Sequence, residues 1–174
     1  MLVFLFFGGV VKAGPVDGAG KAATAGVVVD VSLNPSAGDF KAKTDEVSGT
    51  ATVDGDTVSA EKIIVKLANI KTGMPMRDTH TKKYLETSKY PEAILLKATG
   101  KGGKGTGRIK IRGIEKDIAG TYKIDGDMML AEFPLKLSEF GISGIKYMGV
   151  GVEDDIKLHV NIPVKKGRMP AAKN

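Results

Sequence analysis

The chain of 174 residues contains no cysteine, so disulfides, catalytic thiols, iron–sulfur clusters and zinc–thiolate sites are excluded at once. Tryptophan is also absent, and the only histidines are His80 and His159, too few for a histidine-rich metal centre. No metal and no cofactor is expected. Catalysis would have to rest on carboxylates, hydroxyls or lysines, and no G-x-S-x-G elbow presents a nucleophile. No apolar run reaches the roughly 20 residues that a membrane-spanning helix needs.

The longest apolar run, Leu2 to Val11, has the length of a secretory h-region instead. Val11 and Ala13 follow as the small residues a signal peptidase reads. No basic residue precedes the run, so residues 1–13 are read as an apparently truncated export signal, with a buried N-terminal strand as the alternative. The remaining length supports one domain. It is expected over 26–166, between a flexible stretch at 14–25 and a flexible tail at 167–174. An exported chain without cysteine is compatible with an oxidising compartment.

Positive charge is in excess, with a formal net charge of +6, which raises the question of an anionic partner. The most basic segment, KGGKGTGRIKIRGIEK at 101–116, places Lys110 and Arg112 alternately with Ile109 and Ile111. That spacing puts charges on one face of a strand and isoleucines on the other. The charges then form a solvated face, and no aromatic residue is interleaved to stack on bases. No nucleic-acid partner is expected, and membrane contact is at most peripheral.

Elsewhere the chain has period two. Val27, Val29, Val31 and Leu33 share one face; so do Ile63, Val65 and Leu67; Ile118, Tyr122 and Ile124; Phe133, Leu135 and Leu137; and Ile156, Leu158, Val160 and Ile162. DGD at 54–56, GKGGKGTG at 100–107 and DGD at 125–127 read as turns between them. The acidic triplets lack the further oxygen ligands of a calcium loop. Strands are expected near 27–33, 38–54 (bent or broken), 58–69, 92–100, 106–113, 116–124, 128–138 and 155–165. The fold class is therefore all-β: an antiparallel barrel or sandwich of roughly eight strands. A barrel of that size is either filled by its side chains or holds one slender ligand. Its inward residues are nearly all aliphatic or aromatic, so a ligand would have to be apolar.

One stretch breaks the alternation: TGMPMRDTHTKKYLETSKYP at 72–91. Gly73 makes a turn and Pro75 excludes a central strand. Asp78 is placed as the N-cap of a short helix over the 78–88 corner, which ends before Pro91. Tyr84 and Leu85 point inward, Lys82 and Lys83 outward. Asp78 and His80 could serve as acid and base, but a capping carboxylate is held ionised by backbone N–H groups. The corner is read as structural, with Arg77 as a hydrogen-bonding clamp, Asp78 as cap and His80 as a satisfied turn residue. His159 falls on the polar side of the last strand, as a surface residue.

The residues Thr72, Gly73, Arg77, Asp78 and His80, followed by Tyr90 and Pro91, form a pattern T-G-x-x-x-R-D-x-H…Y-P. It resembles the signature of the YceI-like family of polyisoprenoid-binding proteins. GRIKIRGIEKDI at 107–118 and LSEFGI at 137–142 resemble two further segments of that family, in the same order. The resemblance implies a lipocalin-like barrel, usually exported to the bacterial periplasm, enclosing an isoprenoid or other amphiphilic lipid without enzymatic activity. The residues expected to line such a ligand are Leu67, Ile109, Ile111, Tyr122, Phe133, Leu135, Leu137, Leu158 and Val160. The partners expected are that lipid and, in a homodimer, a second copy of the chain. The alternative is a barrel with a filled core, acting as an interaction or stress-related module of the cell envelope.

Overall fold

The computed structural model describes residues 24–35, 38–147 and 149–167; the export signal expected at 1–13 lies outside them. Alternating apolar residues form strands because successive side chains leave opposite faces, and the DGD turns predicted at 54–56 and 125–127 are both found. The strands are β1 (Gly26–Asn34), β2 (Phe40–Thr44), β3 (Val47–Ser48), β4 (Ala51–Asp54) and β5 (Thr57–Lys66), then β6 (Glu92–Lys101), β7 (Lys104–Ile111) and β8 (Ile114–Asp125). After β9 (Met128–Lys136) come a 3-10 turn (Leu137–Phe140), β10 (Lys146–Tyr147) and the long β11 (Val150–Lys166); α1 (Pro75–Leu85) joins β5 to β6.

Two expectations about the barrel are corrected. It closes with seven strands, β11-β4-β5-β6-β7-β8-β9 and back to β11, while β1 and β2 lie alongside it. Nor is it wholly antiparallel, since Val164, Lys165 and Lys166 of β11 pair in parallel with Ala51, Thr52 and Val53. The cause is the length of β11. One edge is taken by β9, and the other is shared by β1 at 151–161 and β4 at 164–166. The chain reverses between β1 and β2, then keeps one direction through β2, β3 and β4. It therefore reaches β11 running the same way. The segment expected at 38–54 is thus broken into three strands, and the strand expected to reach residue 138 ends at Lys136.

Two bulges shift the inward parity. Lys62 adopts a left-handed φ of 52°, so inward positions run Val58, Ala60, then Ile63. The partner strand slips between Leu95 and Lys97, so its inward set runs Ala93, Leu95, then Ala98. Matching bulges keep Ala60 opposite Ala98 and Ile63 opposite Leu95, and they sharpen the local twist.

The glycine-rich stretch at 100–107 is mostly strand rather than turn, because only Gly102 and Gly103 form the loop. Gly105 pairs with Gly100 on one side and Gly120 on the other, giving a glycine row across β6, β7 and β8. A Cβ on Gly120 would lie 2.2 Å from the Glu132 carbonyl oxygen, and one on Gly100 would lie 2.4 Å from Tyr122 Cε1. No side chain fits there. The row lets the wall curve tightly and lets the Tyr122 ring cross over Gly100.

Helix α1 begins four residues earlier than a cap at Asp78 implies, with Pro75 at its first position and Met74 as an N-cap without a side-chain bond. Proline suits that place because its missing N–H would be unpaired in any case. Asp78 is therefore not the cap. Its Oδ1 accepts hydrogen bonds from the Thr72 backbone N–H and the Thr72 hydroxyl, both at 2.6 Å, and so ties the preceding turn to the helix. The helix ends at Glu86, left-handed at φ 51°, with Thr87 N–H bonded to the Lys82 carbonyl at 3.1 Å as in a Schellman ending. Tyr84 and Leu85 pack on the core that includes Leu67, Ile111, Leu135, Phe140 and Leu158. A second cluster around Val58, Ile63, Met129 and Ile162 fills the opposite end of the barrel.

Candidate functional site: an apolar cavity inside the barrel

The barrel is hollow. Between the two core clusters runs a cavity of about 600 Å³, within the range of roughly 300–1,000 Å³ typical of small-molecule sites. Its walls are aliphatic and aromatic side chains from the strands, and its roof is α1 with the segment around Phe140 and Ile142. Several inward side chains, among them Val29, Ala131, Phe133, Ile156 and Val160, are only half-buried, because the space in front of them is open.

All nine residues expected to line a ligand, Leu67, Ile109, Ile111, Tyr122, Phe133, Leu135, Leu137, Leu158 and Val160, line this cavity. Ile124 shares the parity of Tyr122 but lies beyond the cavity near the strand end and is 40% exposed. The lining also includes residues that parity alone did not select: the small side chains Ala42, Ala60, Ala93 and Ala98, and the glycines Gly100, Gly105, Gly107 and Gly120.

The corner residues divide between roof and hinge. Thr72 is buried and, with Gly73 at φ 85°, shapes the turn that Asp78 pins. The two Thr72 hydrogen bonds, the hydroxyl's before the backbone's, hold the Asp78 carboxyl below its ordinary pKa. It is thus an occupied structural anion. Asp78 and His80 stand two residues apart on a helix and so do not face each other; His80 lines the cavity instead. Pro91 accepts a hydrogen bond from Leu67 N–H at 2.8 Å and Tyr90 N–H donates to the Glu86 carbonyl at 2.8 Å, joining α1 to β5 and β6.

The clamp expected of Arg77 is found at Arg112 instead. Arg112, at φ 50° in the β7–β8 turn, is not a solvated strand charge. Its Nη1 donates to the carbonyls of Phe140 (3.1 Å) and Gly141 (2.6 Å), and its Nη2 lies 2.9 Å from Glu86 Oε2. One guanidinium thereby joins the helix end, the turn and the Phe-Gly segment. Hydrogen bonding by Arg112 holds the Glu86 carboxyl below its ordinary pKa. Arg77 instead stacks its guanidinium on the Phe40 ring, 4.1 Å from the centroid, at the cavity mouth. Met74 and Met76 beside it are more than half exposed, at 52% and 58%.

His159 is on the outer face, as expected, but bracketed. Its Nε2 lies 2.7 Å from Asp30 Oδ2 and its Nδ1 3.1 Å from Glu132 Oε1, a cross-strand ladder over β1, β11 and β9. Among the described residues no group of three or more acidic or histidine side chains could hold a metal.

A family model described as the YceI-like domain matches residues 21–164. No curated protein matches the chain. Among solved structures the chain is similar to Burkholderia cenocepacia BcnA, with 16% identity, a TM-score of 0.59, and coverage of 78% of this chain and 94% of that one. It is also similar to a polyisoprenoid binding domain from Saccharophagus degradans implicated in plant cell wall breakdown (10% identity, TM-score 0.53, 79% and 91% covered). A third is a mutant CJ YceI protein holding a monobromobimane guest (18% identity, TM-score 0.53, 72% and 84% covered). At such identities the likeness to these structures is one of fold.

Proposed function

Since the chain belongs to the YceI-like family, we propose that it is a non-enzymatic binding or transport protein for an isoprenoid-like or other amphiphilic lipid. The observation that carries this reading is the cavity of about 600 Å³, lined along its length by apolar side chains. A ligand there must be elongated and apolar, because a polar group pushed between Ile109, Phe133 and Leu158 would lose its hydration without gaining a partner. Each methylene buried contributes about 0.8 kcal/mol before ordering costs are subtracted. The S. degradans domain, named for polyisoprenoid binding, supports the isoprenoid class. The hollow interior favours this reading over a barrel whose core is filled.

We place the protein in the bacterial periplasm or outside the cell, on the strength of the export signal read at residues 1–13. The test is native mass spectrometry and organic extraction of protein purified from its own host. The expected result is one long-chain amphiphile per chain and a mature protein lacking the leader; the same spectrum reports any homodimer. A ligand-free protein that takes up no lipid from vesicles would overturn the proposal.

A further inference from the structure

An amphiphile in this cavity must leave its head where the apolar lining stops, so the residues at that boundary decide which head is accepted. This inference therefore rests on the lipid-binding reading. The charged residues in the lining are Arg77, Lys146 and Glu132. Glu132 belongs to the outer face, where it meets His159 at 3.1 Å and Lys157 at 3.6 Å. Arg77 and Lys146 lie at the mouth. Lys146 pairs with Gly151, Gly151 with Asn34, and Val31 of the same strand with Phe40, on which Arg77 stacks.

The described arginines are not equivalent. Arg108 is bonded to Asp117 at 2.8 Å and Arg112 to Glu86 at 2.9 Å. No carboxylate pairs with Arg77 among the described residues, and the adjacent Asp78 is turned away to Thr72. The guanidinium carbon sits over the Phe40 ring, 4.1 Å from its centroid, a cation–π contact that holds the charge in place and leaves N–H donors that can meet a phosphate or carboxylate in bidentate fashion. The side chain is half-buried, so the charge is less screened than on an open surface.

We propose that Arg77, held by Phe40 at the mouth of the cavity, is the head-group site, and that the ligand is an amphiphile with an anionic head, phosphate or carboxylate. The apolar tail supplies affinity, and Arg77 supplies selection between an anionic head and a neutral one.

The test compares farnesyl phosphate, farnesol and palmitate by isothermal titration of the delipidated chain, in the wild type and in Arg77→Met, Arg77→Lys and Phe40→Leu. Farnesol and farnesyl phosphate share a tail, so their ratio reads the head alone. The wild type should prefer the phosphate by about ten- to hundredfold, the size of a charge-assisted hydrogen bond, and the preference should shrink as salt is raised. Arg77→Met should abolish it while leaving farnesol affinity within about twofold, which also certifies that the variant is folded. Arg77→Lys should retain only part of it, and Phe40→Leu should weaken it with Arg77 still present. Tight palmitate binding that also depends on Arg77 would make carboxylate the head; dependence confined to farnesyl phosphate would make it phosphate. Equal binding of alcohol and phosphate by the wild type, or a preference that survives in Arg77→Met, overturns the assignment and leaves lipid binding standing. Failure of every probe to bind overturns lipid binding and this inference together.

Discussion

Substituting Ala131→Leu distinguishes a hollow barrel from a filled one by the sign of its effect. Ala131 lies on β9 between Tyr122 and Val160, faces the interior, and is only half-buried because the cavity lies in front of it. Leucine adds three carbons at that point. In a filled core such overpacking costs about 1–3 kcal/mol. In the hollow barrel the added carbons enter vacant space, and at about 0.8 kcal/mol per carbon they stabilise the ligand-free protein by up to about 2 kcal/mol. The same carbons displace a comparable length of ligand, so a chain that fills the cavity should bind about thirtyfold more weakly, while a short probe is unaffected. Urea denaturation of the delipidated protein reads the first effect and calorimetric titration with long and short probes the second. Destabilisation by more than about 1 kcal/mol, with long-chain affinity unchanged, would refute the reasoning.

Further expectations concern the frame around the cavity. Arg112→Ala should destabilise the fold by about 2 kcal/mol, since two carbonyls and a carboxylate lose a charged donor; hydrogen exchange should show the loss concentrated around Phe140–Ile142 and the end of α1. Gly120→Ala should cost about 1–3 kcal/mol in a denaturant melt, because its Cβ would collide with the Glu132 carbonyl, whereas alanine at Gly126, where nothing lies within 4 Å, should lose only the relief of a left-handed φ of 57°. Thermal melts against pH should show an acid limb. Asp30, Asp78, Glu86, Asp117 and Asp154 are all held below the ordinary carboxylate range. Their contribution is present above about pH 4 and is lost as pH falls through the lower folded values. Asp78→Asn should soften that limb and lower the melting temperature at neutral pH.

Much of this is legible in the sequence, for reasons that also explain where it stops. Val27–Val31 and Ile156–Ile162 betray their inward faces because an unbroken strand alternates strictly. Parity fails at Lys62 and between Leu95 and Lys97, where bulges move the inward set by one residue and no local signal announces them. The glycines at 105 and 107 look like loop, yet they continue the parity of Ile109 and Ile111, as Gly120 continues that of Ile118 and Tyr122. That spacing was the available signal that they form wall rather than turn. The helix start was marked by Pro75 in preference to Asp78. Strand count and the parallel pairing depend on how far β11 extends beyond β1, which is decided by contacts distant in sequence. Arg112 and Arg77 depart from their expected parts for the same reason, since Phe140 and Phe40 are brought to them only by contacts distant in sequence.

The central claim, that the apolar interior holds a lipid chain, is tested most directly by titrating the delipidated protein with a homologous series of alkyl phosphates of increasing length. The affinity should rise about fourfold per methylene, the equivalent of about 0.8 kcal/mol each, and reach a plateau once the cavity of about 600 Å³ is full. An affinity that does not change with chain length would contradict it.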